Sequence, residues 1–238
     1  MTEQPGSVLD NFLGEISKSL ASAVGNVLIN GSASDRVEAT ARTAADIHDR
    51  AVAGLAPMVA PAPPPLACRR GCNYCCHVQI ITDVPTVIRL AAYFRVRFSS
   101  QEVDELRRRI NERLDRFEGL PEAERRGLRL PCPLLVDGAC SAYEARPLIC
   151  RSYNSFDADA CEREIMSGRS DRQIPAYDVP LRVGIAVAKG MEDGLRSAGH
   201  AHGSIELVRG LRIALDEPQA AELWLAGSDL FAPARFSS

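Results

Sequence analysis

Long hydrophobic runs are missing from this chain of 238 residues. No segment approaches the roughly 18 uninterrupted apolar residues that a membrane-spanning helix requires, so an integral membrane protein is not expected. The N-terminus also lacks a basic segment followed by an apolar core, because Glu15 and Lys18 interrupt its hydrophobic residues. It does not resemble a secretory signal peptide. We therefore expect a cytoplasmic protein without a membrane partner.

Lysine and aromatic residues are scarce as well. Lys18 and Lys189 are the only lysines, and the formal net charge is −3. A chain of this charge offers no global electrostatic attraction to nucleic acid. Aromatic residues make up 5% of the chain, with Trp224 as the single tryptophan, which argues against stacking platforms for bases or sugars. No nucleic acid partner is expected, and the composition does not indicate a protein partner.

Alternating patterns of the length that a β-strand needs are also absent, whereas helical periodicity recurs. Residues 8–27 and 34–55 carry apolar or small side chains at helical spacing. Ser99 with Glu102 forms the sequence pattern of a capping box at a helix N-terminus. Further helices are predicted over residues 157–169, 179–198, 204–215 and 217–226.

The predicted fold is therefore all-α, an irregular helical domain with cysteine loops between its helices. A proline-rich segment over residues 57–66 is typical of an extended, fairly stiff linker. It divides the chain into an N-terminal helical extension over residues 1–56 and a helical domain over residues 67–238, which holds all the cysteines.

The eight cysteines lie between residues 68 and 161. The first group places four of them within nine residues and is followed at once by His77. The second group has three cysteines in the proline-containing segment 131–150, and Cys161 trails in a predicted helix. A chain of this length can bury a core without disulfides, and structural disulfides are rare in the cytoplasm. Metal binding or redox chemistry is therefore favoured, and we expect no structural disulfide.

The spacing of these cysteines suits a metal site. Thiolates two or three residues apart can converge on one ion because the backbone wraps around it, and Gly71 gives this loop the freedom to do so. The prolines and the glycine of segment 131–150 favour a non-helical path that can close the coordination shell. Thiolates are soft ligands, which favours zinc or an iron–sulfur cluster over magnesium or calcium. The predicted metal ligands are Cys68, Cys72, Cys75, Cys76, Cys132, Cys140 and Cys150.

The division of these ligands is a separate expectation. Neighbouring side chains diverge by ~100° in a helix and ~180° in a strand, so Cys75 and Cys76 can bind one ion together only in an unusual turn. With eight cysteines, a second site is arithmetically possible. We expect one of the adjacent pair to share a centre with three other thiolates, namely Cys68, Cys72, and either Cys140 or Cys150.

Cys161 and four arginines complete the expectations for the site. A lone cysteine in an amphipathic helix is more often a small buried hydrophobe, so Cys161 is not placed among the ligands. Nearby cations lower thiolate pKa values and offset the negative charge of a thiolate site. Four arginines are expected in this role: Arg69, Arg70, Arg146 and Arg151.

The two cysteine groups together resemble the YkgJ-type cysteine cluster family of zinc- or iron-chelating domains. The family pattern is C-x3-C-x2-C-C, a helical insert, and then C-P-[FL]-L…G-x-C-x-x-Y-x-x-R-P-x-x-C-R. Each element has its counterpart within residues 66–165. In the second group these are Cys132, Pro133, Gly138, Cys140, Tyr143, Arg146, Pro147, Cys150 and Arg151. The resemblance implies metal chelation rather than a particular reaction.

Three classes of function are open at this point. The first is a metal-binding protein in which an iron–sulfur cluster serves redox chemistry or sensing, or zinc serves as a structural staple. The second is a protein-modifying, methylase-like enzyme that uses the cluster region as a structural or substrate-binding element, because a related region accompanies flagellin lysine methylases. The third is an interaction module that presents the arginine-rich helix over residues 99–118, although its mixed charges fit a solvated helix face better.

Two enzyme classes with similar cysteine patterns fit less well. Radical S-adenosylmethionine enzymes share the C-x3-C-x2-C spacing, but they place it on a β/α barrel, and this chain shows no βα alternation. A catalytic zinc usually has histidine or carboxylate ligands and an open position, and His77 is the single histidine near the first group.

Overall fold

The computed structural model describes residues 5–58, 63–167 and 174–236. Ten α-helices and four short strands lie within these residues. The helices are α1 (Pro5–Val27), α2 (Ala33–Leu55), α3 (Val84–Arg97), α4 (Ser100–Asp115), α5 (Glu122–Gly127), α6 (Leu148–Ser152), α7 (Ala158–Ser167), α8 (Asp178–Ser197), α9 (Leu207–Asp216) and α10 (Ala220–Leu225). None of the helices in the described part of the chain is both long enough and apolar enough to cross a membrane.

The strands form two short antiparallel pairs. β1 (Ile81–Thr82) pairs with β4 (Ile205–Glu206), and β2 (Leu135–Val136) pairs with β3 (Ala139–Cys140). Gly138 lies in the turn of the second pair with φ of 75°, a conformation that glycine adopts without steric cost. Each strand is only two residues long, so the predicted all-α class is confirmed.

Close packing of α1 along α8 depends on two glycines of α8. A β-carbon at Gly190 would lie closer than 3.0 Å to the carbonyl oxygen of Ser17, and one at Gly194 would lie 2.7 Å from the β-carbon of Val24. Leu20 of α1 is fully buried beside this contact. The two helix backbones approach closely because glycine leaves this space open.

The other long helices start at capping residues. Asp83 accepts a hydrogen bond from the Thr86 amide at the start of α3, at 2.8 Å. Ser99 and Glu102 form the predicted capping box of α4, in which each side chain accepts a hydrogen bond from the other residue's amide. α2 begins at Ala33, directly before its predicted first residue, because Ser32 is its cap and accepts a hydrogen bond from the Asp35 amide.

One hydrophobic core joins helices from both sides of segment 57–66. Leu20 of α1 and Val37 of α2 belong to the same buried cluster as Val87 of α3 and Leu211 of α9. Residues 59–62 lie outside the described residues. The division of the chain into an extension, a linker and a domain stays a prediction, but α1 and α2 both pack against α8, which lies in the third of these parts.

Several predicted helices differ from the observed ones in their bounds; the helix predicted over residues 217–226, for example, spans Ala220–Leu225. The helix predicted over residues 204–215 begins only at Leu207, because Ile205 and Glu206 form β4 and the Glu206 carboxylate then caps α9 by accepting from the Arg209 amide. The helix predicted over residues 157–169 corresponds to α7, and residues 168–169 lie outside the described residues.

Candidate metal centre

The first cysteine group folds as two successive tight turns. The amide of Cys72 donates to the carbonyl of Arg69 at 2.9 Å, and Gly71 between them has φ of 91°. The amide of Cys76 then donates to the carbonyl of Asn73 at 2.9 Å and opens a 3₁₀ turn over Tyr74–His77. The positive φ at Gly71 meets the expectation that glycine allows this loop to wrap.

A backbone hydrogen bond joins the second cysteine group to the first. The amide of Cys132 donates to the carbonyl of Cys76 at 2.7 Å. Cys140 lies on β3, opposite Leu135 of β2, and Cys150 lies in α6. The side-chain amide of Asn73 donates to the carbonyl of Gly138 at 3.4 Å and ties the turn of this hairpin to the first group.

Arg113 of α4 holds the two cysteine segments together from the side of the core. Its guanidinium donates to the carbonyls of Leu130 and Pro131, just before Cys132, and to the carbonyl of Val78, just after the first group. The bond to Pro131 is 2.7 Å long and the bond to Val78 is 3.3 Å long. The side chain is buried, so these bonds fix the junction from within.

A third segment reaches the first cysteine group through Ser155. The amide of Ser155 donates to the sulfur of Cys68 at 3.2 Å, and the amide of Ala67 donates to the carbonyl of Ser155 at 2.8 Å. The segment continues into α7, which contacts the 3₁₀ turn Tyr74–His77 and carries Cys161. All eight cysteines therefore lie on three segments that meet around this turn.

The thiols of the second group are partly buried, and this changes their acidity. Burial raises the pKa of Cys132 to about 11, although a backbone hydrogen bond and the charge of Arg113 oppose the rise. Burial also raises the pKa of Cys150 well above its ordinary value, and the neighbouring thiols of Cys132, Cys75 and Cys140 add to it. These thiols are therefore protonated near neutral pH when no metal is bound.

The adjacent thiols of Cys75 and Cys76 shift each other's pKa in opposite directions. The neighbouring Cys76 thiol lowers the pKa of Cys75, and the charge of Arg146 adds to the effect. The neighbouring Cys75 thiol raises the pKa of Cys76, as do burial and the nearby thiols of Cys132 and Cys140. Cys75 is thus more readily converted than Cys76 to a thiolate, the form that attacks electrophiles and binds metals.

Of the four arginines expected to offset the thiolate charge, Arg146 acts on the pKa values of three cysteines, namely Cys75, Cys140 and Cys150. Its guanidinium lies over the ring of Tyr143, with the central carbon 3.7 Å from the ring centroid, and its Nε donates to the Tyr143 carbonyl at 3.0 Å. Burial raises the pKa of Cys140, and the charge of Arg146 opposes that rise. Arg151 instead pairs with Asp49 of α2 at 2.8 Å.

The sulfurs lie near one another but do not already surround a common centre. In the stretches 5–58, 63–167 and 174–236, no three His, Cys, Asp or Glu side chains are arranged to hold a metal ion. All eight cysteines are free thiols. The chemistry of the donors fits zinc or an iron–sulfur cluster, because they are soft sulfurs drawn from three segments around one turn. Binding would draw the sulfurs together and displace their protons.

Comparison with known proteins agrees with this chemistry. Residues 67–169 match the model of a family described as "CxxCxxCC: Putative zinc- or iron-chelating domain". This is the family that the cysteine motifs resemble. The match covers less than half of the chain, and no curated protein and no solved structure matches the chain. The CxxCxxCC segment (residues 67–169) is therefore the part of the chain for which metal chelation is supported.

Two residues of the CxxCxxCC segment have roles that sequence reasoning does not assign. Arg113 belongs to a helix expected to present a solvated, charged face, yet it is buried; its helical spacing after Leu106 and Ile110 is the signal that could have identified it. Cys161 is expected to be a stray hydrophobe, yet it lies beside Cys68 and Cys72. No sequence spacing signals this position, since it depends on the path of the chain through Ser155.

The structure also contains a serine, a histidine and an aspartate in contact, which sequence reasoning does not find. The Ser152 hydroxyl lies 3.2 Å from Nε2 of His48, and Nδ1 of His48 lies 3.0 Å from the carboxylate of Asp49. Nε2 also lies 3.1 Å from the Pro180 carbonyl, and a β-carbon at Gly184 would lie closer than 3.0 Å to the hydroxyl. Both side chains are buried, so this contact ties α2, α6 and α8 together.

Proposed function

We propose that this protein binds zinc or an iron–sulfur cluster in the cytoplasm through the thiolates of its two cysteine groups. The ligands are those predicted from the sequence: Cys68, Cys72, Cys75, Cys76, Cys132, Cys140 and Cys150. An iron–sulfur cluster would serve electron transfer or redox sensing, whereas zinc would serve as a staple between the two groups.

The observation that carries this proposal is the junction of the two cysteine groups. They are distant in sequence, yet the Cys132 amide bonds directly to the Cys76 carbonyl, and Arg113 binds carbonyls on both sides. The chain buries an arginine that holds two thiol-rich loops side by side, which indicates that these thiols have a function. The match of residues 67–169 to a zinc- or iron-chelating domain supplies one.

The alternative of a methylase-like enzyme has less support. The contact of Ser152 with His48 is enclosed by α8 and has a structural explanation. Metal chelation accounts for the positive charge and the free thiols of the cysteine region. No group among the described residues of the site indicates binding of a methyl donor.

Metal content of two serine variants tests the proposal. We expect Cys72→Ser and Cys150→Ser each to retain less zinc or iron than the wild-type chain, because a missing thiolate opens the coordination shell. Metal is measured by elemental analysis after purification without a histidine tag. Ala139→Ser, which adds a hydroxyl beside Cys140 without removing a sulfur, serves as the control and should retain its metal. Wild-type metal content in both cysteine variants would contradict the proposal.

A further inference from the structure

A cavity of about 430 Å³ opens beside the first cysteine group. Four cysteines line it, from two separate segments of the chain: Cys68, Cys72, Cys75 and Cys161. The cysteines of the second group do not line it. Cys68 and Cys75 are exposed, and Cys72 and Cys161 are partly exposed, so these four sulfurs are accessible from solvent.

Several contacts keep Cys161 at this cavity. Its helix, α7, packs against the 3₁₀ turn Tyr74–His77. Ser155 connects the two sides, because its amide donates to the Cys68 sulfur at 3.2 Å and its hydroxyl donates to the Asp157 carbonyl at 2.9 Å. The Asp157 carbonyl also accepts from the Cys161 amide at 3.4 Å, so the segment that carries Cys161 is held by the same residue that contacts Cys68.

The remaining cysteines face the opposite environment. Cys132, Cys140 and Cys150 are partly buried and pack against the hydrophobic core. Cys76 is also partly buried, and it does not line the cavity. Of the adjacent pair in the 3₁₀ turn, Cys75 therefore lies at the cavity and Cys76 lies away from it.

We infer that the eight cysteines form two four-sulfur sites, an outer site of Cys68, Cys72, Cys75 and Cys161 and an inner site of Cys76, Cys132, Cys140 and Cys150. The inference rests on the proposed function and specifies its ligands. Each set has the four thiolates that a tetrahedral divalent ion such as zinc requires. The division also gives the adjacent cysteines separate ions, which suits side chains that diverge from neighbouring positions.

The two sites differ in access, and this difference predicts different behaviour. The inner site is packed on the core and joins the two cysteine groups, so a metal there contributes to folding. The outer site opens on the cavity, so a metal there can be exchanged with chelators or other small solutes that enter it.

Titration with Co²⁺ tests the division into two sites, because the absorption of thiolate-bound Co²⁺ rises until every thiolate site is filled. The full chain is reduced, freed of metal under argon and titrated. We expect two ions per chain for the wild type and one for Cys161→Ser, which loses the outer site only. Ala160→Ser places the same hydroxyl at the neighbouring position of α7 and should still bind two ions. Circular dichroism checks that each variant is folded, and Cys68→Ser provides a second loss of the outer site.

The outcomes separate the division from the proposed function. One ion per chain in the wild type, or two ions in Cys161→Ser, would overturn the division and leave metal chelation standing. Loss of both ions in a folded Cys161→Ser would overturn it as well, since the inner site would then depend on that sulfur. No binding of Co²⁺ to the wild-type chain, together with neither zinc nor iron in the protein as purified, would instead contradict the proposed function.

Discussion

Arg113 shows how a single side chain can position the candidate site. The guanidinium donates to carbonyls that precede Cys132 and follow the first cysteine group, and it lies 5.2 Å from the ring of Phe117. Burial lowers the pKa of this arginine, while charges on Cys132 and Glu206 oppose the shift. The free-energy cost of burying this charged side chain is thus offset by its hydrogen bonds to the carbonyls of the junction.

Arg113→Met tests this role, because methionine keeps the apolar stem and removes all the donors. We expect the free energy of unfolding to fall by about 3 kcal/mol, since buried carbonyls lose charged hydrogen-bond partners. Urea unfolding followed by circular dichroism measures the change.

Arg108→Met is the matched control on the same helix. Arg108 is exposed and pairs with Glu105 and Glu112 on the surface of α4, so its loss should leave the unfolding midpoint nearly unchanged. Equal effects of the two substitutions would show that the buried arginine does not hold the junction.

At the residue scale, the sequence predicts the thiolate chemistry of the site better than it predicts the residues that hold the site in place. The spacing of Cys68, Cys72 and Cys75 indicates a thiolate site because a short loop brings such residues together wherever it occurs. The contact between Ser155 and Cys68 depends instead on a tertiary path that no local pattern encodes. The same holds for the placement of Cys161.

The contact of α1 with α8 illustrates the element scale. Glycine in the middle of a helix costs roughly 0.5–1 kcal/mol relative to alanine, so its presence needs a compensating reason. At Gly190 that reason is the backbone of Ser17, which would lie closer than 3.0 Å to any β-carbon. Backbone atoms cannot move aside as a flexible side chain can.

Gly190→Ala should therefore destabilise the protein even though alanine favours helices. We expect a loss of about 1–3 kcal/mol in the free energy of unfolding, because α1 must shift away from α8. Gly14→Ala on α1 is the control: nothing lies within 4 Å of its added β-carbon, so the higher helix propensity should raise stability by up to about 1 kcal/mol. Thermal unfolding of both variants decides, and a stabilised Gly190→Ala chain would refute the close contact.

Helix starts are the part of the fold that sequence predicts well. The capping box of Ser99 and Glu102 is local, so its residues alone determine it. The pairing of β1 with β4 joins residues 81 and 206, and strands of two residues leave no alternating pattern to detect. The periodicity of a helix likewise does not indicate which other helix it packs against, as the packing of α1 on α8 shows.

At the scale of the whole molecule, the CxxCxxCC segment lies on a helical core that has its own apolar packing. Leu20, Val87 and Leu211 are buried far along the sequence from one another, and they belong to one cluster. Cys132, Cys140 and Cys150 pack against the same cluster, so the state of the thiols and the stability of the core are linked.

Elemental analysis of the wild-type chain is the most direct test of the central claim that clustered thiolates hold a metal. The protein is purified without a histidine tag under argon, and zinc, iron and acid-labile sulfide are quantified against protein. The account predicts at least one zinc per chain, or iron with matching sulfide, and eight reduced thiols once the metal is removed and the chain denatured. A chain free of zinc and iron, with its cysteines joined in stable disulfides such as Cys72 to Cys150, would contradict it.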